Sequence, residues 1–351
     1  QRGRIFIRIF WFNRNFMSKL IYFVLFTVLI SCGEKPLEKT TVRGQAFGTT
    51  FSIQAYTNQN VDLEKGIDSI LNLVNKSVST YLPDSDISKI NRGDTSVIVD
   101  QIFIDNFNLS SEVYQKTEGY FDPTIGVLRN AYGFGDIKPL KVIDTKALDS
   151  MLNYVGFHKV KLTETSKIWK EYPEIYFDFN AVAKGYGIDL IGDYLVSNKI
   201  QNFLIELGGE LLAKGVNLKK NKTWVVGIEN SFSTINDRSY STSIMLKDIG
   251  MATSGNYRKF RVDSISKKRY VHTLNPLTGS AEKSNITSAT VLASTCAKAD
   301  AYATSFMALG FEKSIELINE LDDIEVYLTY SDQDNIQQFF VTEGMKEIIL
   351  D

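Results

Sequence analysis

YFDFNAVAKGYGIDLIGDYLVSNKI, residues 176–200, decides how this chain is read. Its opening YFDFN is strand-like, whereas Ile188, Ile191 and Leu195 recur at helical spacing. A strand is therefore predicted to pass into a helix through a junction that holds Asp178, Lys184 and two glycines. Lys184 is suited to pair with a phosphate, and the glycines let backbone approach a ligand closely. The stretch matches neither the Walker pattern nor a dinucleotide GxGxxG, so a plain strand-to-helix junction with an exposed lysine stays open.

Upstream, Phe51, Ile53 and Ala55 alternate with polar neighbours after Gly48, which predicts a strand preceded by a tight turn. Ile67, Ile70, Leu71 and Val74 predict a helix over 62–79 that feeds the loop STYLPDSDISKIN, residues 79–91. A second helix is expected over 104–116, stopping near Gly119, so that TEGYFDPTIGVL (117–128) forms its exit and turn. Residues 145–157 form a shorter amphipathic segment. Downstream, NFLIELGG (202–209), TWVVGIEN (223–230), STSIMLKD (241–248) and NITSATVLAS (285–294) are β-rich, and TCAKADAYATSFMALG (295–310) is helical. IEVYLTY and IQQFFVTEG read as a hairpin across Asp332–Asn335. No repeat, heptad or Pro/Gly-rich linker divides the chain, so the expected class is α+β: a single elaborated domain over 43–351 with a ligand cleft, two subdomains around that cleft being the variant.

Apolar residues at 44% and charged residues at 23% suit an ordered globular body. The first 31 residues hold five basic groups and no acid, so subtracting them takes the formal net charge from −2 to −7. That acidic balance speaks against a nucleic-acid partner. Within MSKLIYFVLFTVLISCG (17–33), the apolar run from Leu20 to Ile30 fits an export signal and falls short of the roughly 20 residues of a spanning helix. Leu29-Ile30-Ser31-Cys32 resembles the bacterial lipoprotein signal. Residues 1–31 are then an upstream segment and signal peptide, and 32–42 a tether from an acylated Cys32 that holds the protein to a lipid membrane. Cys296 is left without a partner, so a disulfide scaffold is not expected.

Several short stretches carry chemistry. Asp300 and Thr304 lie four apart on the predicted helix, so both oxygens face one way, as a hard cation would require; a salt bridge and a back-bonded threonine are the local alternative. Thr253, Ser254 and Gly255 form an expected turn able to meet an anion, or a surface hairpin. Tyr81 and Tyr120 suit stacking on a flat ring or core packing. HTLNPLTG (272–279) surrounds His272 with polar loop residues, where an imidazole can take a proton from a hydroxyl or serve the loop alone. His158, at an expected strand edge, is given a structural role. HExxH, GxSxG and Cys/His zinc patterns are absent from the sequence.

In their order, FGTTFSI, STYLPDSDISKIN, TEGYFDPTIG, DFNAVAKGYGID, LIELGGE, TSGNYRKF, HTLNPLTG and CAKADAYAT resemble the ApbE family, the flavin:protein FMN transferases, over about residues 45 to 345. The resemblance implies an enzyme that uses FAD and Mg²⁺, moves FMN to a Thr or Ser hydroxyl of a target flavoprotein as a phosphodiester, and releases AMP. It implies Asp300 and Thr304 as metal ligands with the backbone oxygen of Ala181. It further implies Asp178 and Lys184 as FAD contacts, Tyr81 beside the flavin, and ligand contacts from Phe47, Tyr120, Phe121, Asp122, Ser254 and Gly255. Phe47 stands where the family often has methionine, and Asn180 where glycine is common. His272 becomes the candidate to organise or deprotonate the acceptor hydroxyl. An electron-transport flavoprotein is the implied partner, at the periplasmic face of a bacterial membrane, inner or outer. The rival functions are a Mg²⁺-dependent FAD pyrophosphatase and a noncatalytic flavin-binding lipoprotein.

Overall fold

The segment 176–180 is extended, yet it joins no sheet. In the computed structural model, which describes residues 36–230, 239–256, 260–262, 269–281 and 283–350, Tyr176 makes only an isolated bridge to Ile125. Side-chain and loop groups take the place of a neighbouring strand. The Asn91 amide pairs with both main-chain groups of Phe177, at 2.7 and 2.9 Å, and Asp178 N–H donates to Pro123 O at 2.8 Å. Phe177 and Phe179 anchor the segment in an aromatic cluster with Phe103 and Phe107; the Phe103 and Phe179 rings meet edge to face at 5.2 Å. The strand predicted here is thus replaced by a clamped extended chain, which leads as expected into a helix.

Helices run α1 Leu63–Val78, α2 Asp86–Asn91, α3 Gln101–Lys116, α4 Gly126–Tyr132, α5 Thr145–Leu152, α6 Ala183–Ser197, α7 Cys296–Leu309, α8 Phe311–Ile318 and α9 Glu343–Ile348. Strands β1 Glu38–Ala46, β2 Thr49–Thr57, β5 Asn202–Leu207, β6 Glu210–Lys214, β9 Ile249–Gly255, β12 Ile286–Ala293, β13 Ile324–Ser331 and β14 Gln337–Val341 form an eight-stranded sheet in the order β1-β2-β5-β6-β9-β12-β13-β14. The pairs from β2 to β14 are antiparallel. Smaller sheets are β3 Val160–Leu162 with β4 Ile168–Lys170, β10 Phe260–Val262 with β11 Arg269–Val271, and β7 Trp224–Glu229 with β8 Tyr240–Leu246 and β15 Ile349–Leu350. The described residues from Lys39 on fall in one compact unit, which is α+β; of the separate unit 1–38, only 36–38 are described. Cys32 and the expected signal segment lie outside the described residues.

Helices and the small sheet cover the central strands, so every residue of β12 is buried. On one face α7 packs on Val291, Ala289 and Leu328, while α1 and α6 cover Ile53, Phe203 and Ile205. On the other, Trp224, Ile244 and Leu246 of the small sheet meet Met251, Leu292 and Tyr327. Each fully buried Val, Leu, Ile, Phe or Met side chain among these contributes about 1.5–3 kcal/mol.

The turn expected near Gly48 is the β1–β2 hairpin, where Phe47 and Gly48 both adopt left-handed φ, 51° and 75°. β1 begins at Glu38, so the last part of the expected tether, residues 38–42, is strand. Thr253–Gly255, expected as a turn, close the strand β9, with Ser254 opposite Ala289 and Gly255 opposite Ser288. β12 recruits them into its ladder, a long-range pairing that local turn chemistry does not report. His158 lies in a 3₁₀ turn over Phe157–Lys159 rather than at a strand edge, its Nδ1 2.9 Å from the Tyr114 hydroxyl.

Candidate functional site

Small side chains let α7 press against its neighbours: Ala297, Ala299, Ala301 and Ala303 are all buried. Two glycines complete the fit. A Cβ on Gly185 of α6 would lie 2.4 Å from the Cys296 carbonyl oxygen, and one on Gly250 of β9 would lie 2.5 Å from the Cys296 nitrogen. The first turn of α7 is capped by Thr295, whose hydroxyl accepts from Lys298 N–H at 3.2 Å. Asp189 of α6 accepts the Cys296 and Ala297 N–H groups, both at 2.8 Å. Burial pushes Asp189 up to about 7, against the pull of those two donors.

This seam fixes Asp300, one turn further along α7 and buried, with Thr304 stacked one turn beyond it. Gly185 N–H donates to Asp300 Oδ2 at 3.2 Å, and the Ser254 and Thr304 hydroxyl oxygens are 3.2 Å apart. Lys184 Nζ lies 2.6 Å from Glu210 Oε2, the first residue of β6. Burial raises the Asp300 carboxyl, opposed by Lys184 and the Gly185 N–H. Burial likewise lifts Glu210 to about 7, with Lys184 opposing and Asp300 adding to the rise. For Lys184, burial pulls down, but the Glu210 and Asp300 charges outweigh it and hold the ammonium above its usual value.

These groups face one cleft. Of the residues singled out in the sequence, Tyr120, Phe121, Asp122, Asp178, Ala181, Lys184, Ser254, Gly255, His272, Asp300 and Thr304 line it. Phe47 and Tyr81 do not. Phe47 is held at the hairpin turn, its ring beside Gly187 and packed on two core clusters, and Tyr81 is 58% exposed. The Asp122 carboxylate serves its own turn: it accepts Thr124 N–H at 2.7 Å, the Thr124 hydroxyl at 2.6 Å and Phe157 N–H at 3.1 Å, and burial raises it to about 6. Lys313 Nζ sits 5.3 Å from the Tyr120 ring centre.

Two charged wall residues escaped sequence reading, Glu210 and Arg129. Glu210 follows a turn at Gly208 and Gly209, φ 65° and 109°; a glycine pair permits a sharp turn but specifies no substrate. Arg129 interrupts the apolar start of α4, GVLRNAY, and pairs with Asp178, which also accepts Asn180 N–H at 2.8 Å. A lone cation inside an apolar helix was the available signal. Among the described residues no group of three or more His, Cys, Asp or Glu side chains is placed to hold a metal, so a cation here would rest on Asp300 with hydroxyl and carbonyl oxygens.

Comparison with known proteins matches residues 47–328 to the ApbE family. The FAD:protein FMN transferase of Vibrio cholerae is 32% identical over 335 residues, spanning 93% of this chain and 96% of that protein. The FAD:protein FMN transferase of Haemophilus influenzae is 31% identical over 327 residues, spanning 90% and 93%. The structure of the flavin transferase ApbE from Vibrio cholerae superposes with a TM-score of 0.78 at 30% identity, covering 89% of this chain and all of that one. The apbe protein of Thermotoga maritima shares the fold, with a TM-score of 0.77 at 21% identity.

Proposed function

The chain belongs to the ApbE family, and on that premise we propose that it is an FAD:protein FMN transferase that couples FMN to a Thr or Ser hydroxyl of a flavoprotein and releases AMP. The observation that carries this reading is a single cleft wall that gathers Asp300, Thr304, Ala181, Lys184 and His272 from three distant parts of the sequence.

The residues present fit a magnesium ion. Asp300 carboxylate, Thr304 hydroxyl and Ala181 carbonyl are all hard oxygen donors, and Mg²⁺ takes one or two carboxylates and fills its remaining positions with phosphate and water. The cleft also needs positive charge. Asp122, Asp178, Glu210 and Asp300 line it against the cations Arg129 and Lys184, and each of those cations is already paired with a buried carboxylate. A dianionic diphosphate would meet an acidic wall without further cations. Bound there, Mg²⁺ would supply Lewis-acid stabilisation of charge on phosphate oxygens.

In the proposed reaction the acceptor hydroxyl oxygen forms a bond to the phosphorus of the FMN half, and the bond from that phosphorus to the bridging oxygen breaks. AMP leaves with the bridging oxygen. The hydroxyl proton passes to an imidazole nitrogen of His272, which must be neutral to receive it. Lys184, held by Glu210, offsets charge at the diphosphate, and Ser254 keeps the Thr304 hydroxyl oriented. A lipidated Cys32 would hold the domain at the periplasmic face of a membrane and restrict it to exported acceptors; the support is the sequence Leu29–Cys32. Among the described residues no helix is long and apolar enough to cross a membrane.

The test combines purified protein, FAD, Mg²⁺ and an acceptor domain bearing a Thr or Ser flavinylation segment. Covalent addition of FMN to the acceptor with stoichiometric AMP is expected. Free FMN and AMP with an unlabelled acceptor would instead make it a pyrophosphatase, and bound, unchanged FAD a carrier.

A further inference from the structure

We infer that Arg129, held in place by Asp178, is a substrate-binding residue of the cleft. The inference rests on the functional reading above and names a contact for the diphosphate of its substrate.

The Asp178 side chain is 4% exposed and its oxygens are already engaged: Oδ1 accepts Asn180 N–H at 2.8 Å, and Oδ2 pairs with Arg129 Nη1. The main chain beside it is pinned by Pro123 O at 2.8 Å and by Asn91 on Phe177. Arg129 is the more open partner, with a 17% exposed side chain on the cleft wall. Its Nη1 is held by Asp178 and its Nη2 donates to Phe134 O at 3.0 Å. That carbonyl is itself fixed, because the chain folds back beyond α4 through the left-handed Gly133, φ 81°, and Phe134 N–H donates to Arg129 O at 2.8 Å.

A guanidinium has five N–H donors in a rigid fork. Two anchors on two different segments therefore fix its plane and leave the rest of the fork to the cleft. The other cationic side chain there, Lys184, is a single ammonium held by Glu210 at 2.6 Å, so it meets an anion as a point charge and not as a planar fork. A planar, preorganised fork matches phosphate oxygens better than any other side chain does. The segment that Arg129 holds at Asp178 runs on to Ala181, three residues later on the same cleft wall, so the same anchor ties a phosphate contact to a candidate cation ligand.

The experiment measures the Kd of FAD and of ADP, with Mg²⁺, for wild type, R129M, R129K, D178N and the double variant D178N/R129M, alongside thermal melting of each. R129M strands a buried carboxylate and is expected to melt early; the double variant removes that charge and should recover much of the loss. FAD and ADP affinity should nevertheless stay about tenfold or more weaker in both, with R129K between them and wild type. D178N alone should weaken binding, and its penalty should be smaller once Arg129 is gone, because part of its effect passes through the guanidinium it holds. Wild-type affinity in the double variant would overturn the inference, as would a D178N penalty of equal size with and without Arg129. Wild-type protein that binds neither FAD nor ADP would overturn the functional reading itself.

Discussion

His272 and Asp300 share a cleft wall but are asked for different things, and single substitutions separate them. H272A should slow FMN transfer by about 10²–10⁴-fold with FAD affinity little changed, as loss of a general base does. D300A should abolish transfer and also weaken Mg²⁺-dependent FAD binding, read by titration of flavin fluorescence. Full transfer activity in both variants would remove the proposed chemistry. Sequence made these two residues visible for different reasons. Asp300 and Thr304 declare themselves by helical spacing, whereas His272 stands out by the polar loop HTLNPLTG around it. Glu210 and Arg129 stayed hidden because their meaning lies in Lys184 and Asp178, partners that no local pattern connects to them. Asp122 was legible as a site residue, yet its carboxylate is occupied by Thr124 and Phe157, so its contribution to the wall is the turn it holds.

At the level of elements, the site depends on how closely α7 approaches α6 and β9. G185A should lose about 1–3 kcal/mol, measured as a lower denaturant midpoint with unchanged slope, because the added methyl meets the Cys296 carbonyl and the backbone there has no slack. Transfer activity per folded molecule should fall with it, since Gly185 N–H is the donor to Asp300. A variant with wild-type stability and activity would mean that the seam is looser than its geometry. α6 was legible from the spacing of Ile188, Ile191 and Leu195, and α7 as a helical run over 295–310. β9 was not: Thr253–Ser254–Gly255 carry turn-forming residues, and only the ladder with β12 makes them strand. The strand-like 176–180 failed in the opposite sense, since its pattern is extended but Asn91, not a strand, answers its backbone.

Across the whole molecule, burial leaves Asp122, Asp189 and Glu210 with pKa values raised to about 6, 7 and 7. The unfolded chain releases these protons near pH 4, so between roughly pH 4 and 7 the folded state binds more protons than the unfolded one. Stability therefore falls as pH rises through that window and levels off above it. Metal-free protein should melt at a higher temperature near pH 5 than near pH 7.5, and D189N should shrink the difference; an equal or lower melting point near pH 5 would contradict the burial argument. For the attachment proposed at Cys32, C32A should leave the protein unlabelled by fatty acid and move it from the membrane to the soluble fraction, and retention of label would exclude that site. The sequence by itself determined the periodic elements, because those follow from spacings within one or two turns, and the α+β class and the family, because those follow from the order of the elements and motifs along the chain. The tertiary structure alone decided that Asp189 caps a helix 107 residues away, that Gly185 meets Asp300 across 115, and that Asp178 is spent on Arg129 across 49. Such contacts arise from the packing of remote segments, where backbone groups that no neighbour in sequence can satisfy find their partners only once the sheet and helices have assembled.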